Sequence, residues 1–232
     1  MRREGRPSEA AALYREALGR MREVYPDDHP QIAVTLNNLA SALESEGDLE
    51  AAERTYREAL DLQQRVLGPD HRDVGTTVNN LAGLMRQLRR YEESEELYRE
   101  ALRIYSQALG PDHAWVSIVW NNLAHTDEAR EDYGAALAAT EEAERIGRLH
   151  WPEGHWRIEQ SMSLRGACLA AEGRDDEAEP LLSGSLQRLR ATLPETDGAV
   201  VRARERWATF LESRNRVEEA TRARAEGHPA SH

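Results

Sequence analysis

Residues 29–70 read HPQIAVTLNNLASALESEGDLEAAERTYREALDLQQRVLGPD, and this stretch decides the fold. It contains the signals for two helices and a stop. His29-Pro30 opens the first helix, because proline fits a first turn, where its missing N–H would have had no partner. Ile32, Leu36, Leu39, Ala40 and Leu43 then recur at helical spacing. Gly47-Asp48 breaks the run. Leu49, Ala52, Tyr56, Ala59 and Leu60 mark a second helix, and Gly68-Pro69-Asp70 ends it.

The same plan returns along the chain. His29, His71, His113 and His155 are each 42 residues from the next, and Asn37-Asn38 recurs as Asn79-Asn80 and Asn121-Asn122 at a fixed offset. Landmarks in register at this period mean stacked tandem repeats, each burying the apolar face of its neighbour. First helices are expected to start near Pro30, Arg72, Ala114, His155 and Gly198. The breaks fall near Gly47, Arg89, Asp132, Gly173 and Asn215, and second helices open near Asp48, Tyr91, Tyr133, Asp175 and Val217. Upstream, GRPSEAAALYREAL (5–18) matches GDLEAAERTYREAL (47–60), the second half of a repeat without its first half. The expectation is an all-α, right-handed superhelical solenoid of about eleven antiparallel-paired helices in a single array over 1–232. It divides into a half repeat at 5–28, repeats at 29–70, 71–112, 113–154, 155–196 and 197–226, and a frayed tail at 227–232. Pro180, inside a helical pattern, is expected to kink or shift its helix.

Composition narrows the function. The 232 residues carry a formal charge of −12, and all 30 basic residues are Arg. That balance opposes nonspecific nucleic-acid binding, which needs a Lys/Arg excess to displace counterions, and opposes an anionic membrane surface. No apolar run approaches the ~18 residues of a membrane span, and no signal peptide is evident, so the expected location is cytoplasmic. The single cysteine, Cys168, lies in the apolar pattern Leu164, Ala167, Cys168, Leu169 and reads as a core residue. There is no nucleophile motif and no glycine-rich phosphate loop, so no enzyme and no cofactor are expected.

The pattern LNNLA…GDLEAAERTYREAL resembles the tetratricopeptide repeat. The family's small first-helix residue is matched by Ala40, Ala82, Ala124 and Gly166. Its small second-helix residue is matched by Ala52, Ala136 and Ala178, with Glu95 read as a departure, and its second-helix aromatic by Tyr14, Tyr56 and Tyr98, with Thr140 in that place later. The 42-residue period with LGPDH turns resembles the kinesin-light-chain subtype. The segment HWPEGHWRIEQSMSLRGACLAAEGRDDEAEPLL is similar to repeat arrays that follow bacterial serine/threonine kinase domains. That resemblance implies, as an alternative, a regulatory or recruiting region of a larger signalling protein. The family resemblance implies a platform for peptides and proteins.

Helical geometry locates the binding face independently. With ~100° per residue, Val34, Asn37, Asn38, Ser41 and Ser45 lie opposite the core side of their helix. In a curved stack of helix pairs the first helices form the inner surface. The expected peptide-binding residues are therefore Asn37, Asn38, Ser41, Asn79, Asn80, Arg86, Asn121, Asn122, His125, Arg202 and Arg206. Asparagine offers both donors and an acceptor, so an amide ladder can hold the backbone of an extended peptide. Equally, each Asn can satisfy a neighbouring repeat and keep the stack in register. The four His are too far apart, at roughly 10 Å per helix width, to share a metal ion; their places beside helix starts point to capping. Trp151 and Trp156 fall in a turn between repeats, and Trp120 takes the core position of Leu36 and Val78. Ala11, Leu13, Tyr14 and Leu18 make an apolar opening helix through which two copies could pair.

Overall fold

In the computed structural model, which describes residues 6–225, every regular element is a helix. Among the described residues there are eleven: α1 (Arg6–Val24), α2 (Pro30–Glu46), α3 (Leu49–Leu67), α4 (Arg72–Gln87), α5 (Tyr91–Leu109), α6 (Ala114–Ala129), α7 (Tyr133–His150), α8 (Trp156–Ala171), α9 (Asp175–Thr192), α10 (Gly198–Ser213) and α11 (Val217–Ala225). The expected tail at 227–232 lies outside the described residues. The chain divides into two compact units, Met1–His113 and Ala114–His232, and the division falls one residue past a repeat boundary.

The helix ends follow local chemistry. His29, His71 and His155 have extended backbone, and the Nδ1 of each accepts the N–H of the second residue onward, in Gln31, Asp73 and Arg157. Each thereby satisfies one of the backbone donors that a helix start leaves over. These three ladder histidines are caps, the role their position implied. Asp48 and Asp132 cap α3 and α7 through Ala51 N and Ala135 N, both at 3.1 Å. The turn inside each pair needs one left-handed residue. Glycine supplies it at Gly47 and Gly173, while Arg89, Glu131 and Asn215 adopt φ near 60° without that freedom. The α9 helix runs on through Pro180. Proline costs α9 the bond to Asp176, which is exposed and can turn its carbonyl to water.

Within each unit, every helix packs on the next, and first helices also touch first helices: α2 touches α4, α6 touches α8 and α8 touches α10. Among the described residues no such backbone approach joins α3 to α5, α7 to α9 or α9 to α11. Second helices are therefore splayed, and the first-helix side of each unit is its inner side. Long arginines bridge the wider gaps outside: Arg22 to Glu58 (2.8 Å), Arg57 to Glu93 (2.6 Å) and Arg216 to Glu179 (2.6 Å). Each such exposed pair is worth at most about 1 kcal/mol.

Small residues set the spacing inside each pair. Ala40, Ala52, Ala59, Ala82, Ala101, Ala124 and Ala136 are fully buried. The expected departure at Glu95 is corrected. The residue one period after Ala52 is Ser94, which is fully buried and donates to Ala82 O at 2.8 Å. Glu95 lies one position further round the helix and pairs with Arg99. Thr140 is buried where Tyr56 and Tyr98 stand, and it donates to Leu137 O at 2.8 Å. Trp120, half-buried rather than fully interior, packs in that same pair against Ala124, Ala136 and Ala139. Cys168 belongs to this cluster, and burial pushes its thiol up to about 12. At the other end Ala11 and Leu18 are buried, but Leu13 is 65% exposed.

Gly166 sits at a close helix contact. An added Cβ would lie 2.9 Å from Leu182 Cγ and 3.1 Å from Leu181 Cβ, atoms close to a rigid backbone. At Gly134, in the first turn of α7, a Cβ would meet nothing nearer than Asp132 Oδ1 at 3.9 Å. Gly166→Ala is expected to lower stability by about 1–3 kcal/mol, despite its better helix propensity. Gly134→Ala should raise stability by up to about 1 kcal/mol. Urea unfolding of the two variants checks the opposite signs.

Candidate functional site

The inner face of the first unit carries the first two asparagine pairs. Asn37 Oδ1 accepts from Thr77 Oγ1 (3.1 Å) and from Asn80 Nδ2 (3.3 Å), both on α4. Asn37 donates weakly to Asn38 Oδ1 (3.5 Å), and Asn79 donates to Asn80 Oδ1 (3.3 Å). The result is a half-buried amide chain crossing from repeat to repeat. Asn38 Nδ2 has no hydrogen-bond partner among the described residues. Ser41 is exposed at the next turn.

Further along the same face, Tyr56 OH donates to Glu44 Oε2 at 3.2 Å. Burial raises the Glu44 carboxyl, against the lowering pull of Tyr56 and Arg86, and also raises the Tyr56 hydroxyl. Arg86 is half-buried against Glu44 and Tyr98, and its Nε is enclosed without a hydrogen-bond partner. Its charge is thus already opposed by Glu44, one period earlier at the same register position.

The second unit repeats the amide lock. Ser161 Oγ donates to Asn121 Oδ1 at 2.7 Å, as Thr77 does to Asn37 two periods before. Asn121 and Asn37 thus perform the register-holding role. Asn121 Nδ2 meets no hydrogen-bond partner among the described residues and lies, with Asn122, on a depression of about 210 Å³. Ser117, Ile118, Gln160 and Arg202 complete that lining together with Trp151, Trp156 and Arg157.

Nearer the C-terminal ends of the same helices is a second cavity of about 390 Å³. Ala167, Ala170, Leu182 and Phe210 line it, with Glu128, Arg206 and Arg214 among its polar groups. Here Arg206 of α10 reaches across α8 to α6, meeting Glu128 Oε2 at 3.0 Å and His125 Nδ1 at 3.3 Å. His125, Glu128 and Arg206 are therefore brought together, but on one another. Burial alone would raise the Glu128 carboxyl; the His125 hydrogen bond and the Arg206 charge outweigh it and hold the group below the usual range.

Sequence reasoning missed Arg157 and placed Trp151 and Trp156 only as turn residues, whereas Trp156 is the first residue of α8. The signal was present: one turn and the helix start after it hold two tryptophans, and Arg157 stands at the register position of Asp73. Elsewhere on the molecule Glu144 is 1% exposed and contacts Arg165 (2.9 Å) and Arg148 (3.1 Å), yet burial still raises its carboxyl. Among the described residues no group of three or more His, Cys, Asp or Glu is placed to hold a metal, and no helix is long and apolar enough to cross a membrane.

The repeat family's sequence model, described as tetratricopeptide repeat, matches residues 1–65, 32–105 and 73–148. These windows together span more than half of the chain, which belongs to the tetratricopeptide repeat family. Among solved structures, BtubC (BKLC) from P. vanneervenii is similar at 30% identity, with 81% of this chain and 75% of that one covered and a TM-score of 0.72. The kinesin-light-chain-type, nearly identical TPR-like repeats of Podosopora anserina are similar in fold: 19% identity, 81% and 90% covered, TM-score 0.68. A singly substituted form of the same repeats matches at 20% identity, 81% and 89% covered, TM-score 0.69. The present repeats are thus kinesin-light-chain-like in period and fold. Comparison with curated proteins gives no significant match.

Two measurements check the site's electrostatics and its amide lock. In a double-mutant cycle, Asn121→Ala and Ser161→Ala should couple by about 0.5–1.5 kcal/mol; additive effects would mean that the bond holds nothing. For Glu128, a folded pKa held below the unfolded one means stability present above about pH 4.3 and lost as pH falls through the folded value. The melting temperature of Glu128→Gln should therefore fall less steeply than that of the native chain across this acid range.

Proposed function

We propose that the chain is a non-enzymatic binding scaffold that holds an extended peptide or protein segment on the inner, amide-bearing faces of its units. Tetratricopeptide repeats serve in general as protein-interaction scaffolds. The observation that carries the finer reading is the asymmetric use of the amides. Asn37 and Asn121 spend their carbonyls on the neighbouring repeat, while the Nδ2 groups of Asn38 and Asn121 keep their donors unspent on a half-exposed face. An extended backbone supplies carbonyls at regular intervals to accept such donors. Of the basic residues on this face, Arg86 is opposed by Glu44, and Arg206 is paired with Glu128 and His125. They position the face more than they attract acid. Arg202 lines the tryptophan-bearing depression.

Selection from a displayed library of unstructured peptides tests the proposal. Binders recovered against the native chain should lose affinity by on the order of tenfold or more, about 1.4 kcal/mol, in Asn38→Ala/Asn121→Asp, which removes both unspent donors and keeps the side-chain oxygen that accepts from Ser161. Circular dichroism and melting should stay near native. Undiminished affinity in a folded variant would remove the amide face from the binding reaction.

A further inference from the structure

The turn between α7 and α8 departs from every earlier turn. At the register positions of Leu67, Arg72 and Asp73 this turn and the first residues of α8 carry Trp151, Trp156 and Arg157. These residues stack on one another. The Trp151 and His155 rings lie 5.3 Å apart and nearly parallel, at 8°. The Arg157 guanidinium sits 4.3 Å from the Trp156 ring centre and 5.5 Å from that of Trp151. The backbone N–H of Arg157 is also held by His155 Nδ1 at 3.4 Å, and burial with the nearby Arg157 charge keeps that imidazole below its usual range, so that Nδ1 remains an acceptor. Gly147 makes room for the arrangement: a Cβ there would lie 3.3 Å from the Trp151 ring. The guanidinium is thus fixed before any ligand arrives, which removes much of the ordering cost of a charged contact.

What the guanidinium lacks is an anion. Among the described residues no carboxylate pairs with Arg157, and burial lowers its pKa with no acidic neighbour to offset it. Among the same residues Arg15, Arg65, Arg89 and Arg222 also lack a carboxylate at ion-pair distance, but they are exposed, whereas Arg157 is half-buried. The next acid along α8, Glu159, is buried and directed to Arg188 at 2.8 Å. Arg72, which stands where Trp156 does, lies 3.5 Å from Asp73. The planar cation opens onto the 210 Å³ depression that also presents Asn121, Asn122, Gln160, Ser161 and Arg202. A second guanidinium and amide donors around one small hollow are the partners an oxyanion requires.

We infer that the Trp151–Trp156–Arg157 hollow is an anion subsite that takes a carboxylate or phosphate group carried by the bound segment. The inference rests on the scaffold reading and adds a chemical preference to it. Guanidinium edges and amide donors supply hydrogen bonds to the oxyanion, and the indole faces keep the cation in place and partly dry. Selectivity then comes from this one turn, while the asparagine faces hold backbone of any sequence. The subsite also accounts for how a chain with net charge −12 can accept an acidic side chain: the attraction is local.

The test uses the full chain labelled with nitrogen-15, with the Arg157 Nε–H resonance assigned by its loss in Arg157→Gln. The probes are N-acetyl-glutamate α-amide, N-acetyl-O-phosphoserine amide and the neutral N-acetyl-glutamine amide, titrated at low ionic strength. The two charged probes should move the Arg157 resonance saturably and well beyond other arginines, and the neutral probe should not. In Arg157→Gln, charged-probe binding followed by indole fluorescence should fall by on the order of tenfold, with melting unchanged. Tighter binding of phosphoserine than glutamate identifies phosphate as the source of the anion, and the reverse identifies carboxylate. A resonance that moves no more than those of other arginines, or equal binding of the glutamine probe, overturns the subsite. Because these probes have no extended backbone, that failure is distinguishable from failure of peptide capture on the amide faces.

Discussion

The close approach of one helix to the next at small buried residues is the constraint on which each unit depends. Ala52, Ser94, Ala136 and Ala178 occupy one register position, and none presents a side chain large enough to hold the pair apart. First helices can then touch their counterparts in the next repeat while second helices cannot. That difference creates an inner face and directs the asparagines to it. It also explains the outer pattern of arginine–glutamate pairs, since only long side chains span the splayed side.

Polar groups on the inner face are mostly settled internally. Amide carbonyls lock adjacent repeats, Arg86 is set against Glu44, and Arg206 reaches over a whole helix to Glu128. Half-buried polar groups left without partners cost stability, so a stacked array tends to pair them. Apart from the enclosed Nε of Arg86, the donors that stay unspent stand out against this background: the nitrogens of Asn38 and Asn121 and the guanidinium of Arg157. Two of these three lie on the same hollow of the second unit.

Sequence pattern and structure part company where identity and register compete. Helix starts at Pro30, Arg72, Ala114 and Gly198 and openings at Tyr91, Tyr133, Asp175 and Val217 are legible to the residue, because proline, glycine and capping side chains act locally. The Glu95 assignment misses by one position. Matching on alanine passes over Ser94, whose hydroxyl is satisfied by Ala82 O and which therefore packs as a small core residue. The period predicts a core place for Trp120, but the residue is half-buried, in a pair whose tyrosine has become Thr140. Arg157 is not legible in the pattern because its meaning lies in what fails to pair with it, and pairing is not written in spacing.

By itself the sequence determined the period, the helices, their caps and the side of each helix that faces the core, since all of these follow from contacts within a few turns of chain. It also placed the asparagines on one face. Only the tertiary structure decided which amides lock repeats and which keep unspent donors, which arginines are already neutralised, and that two tryptophans and an arginine in a turn and the helix start after it converge with residues of α6 and α10. Those outcomes depend on distances between residues some 40 to 80 positions apart, such as Asn121 with Ser161 and Glu128 with Arg206. Side-chain reach across a packed interface sets such distances, and no local propensity encodes it.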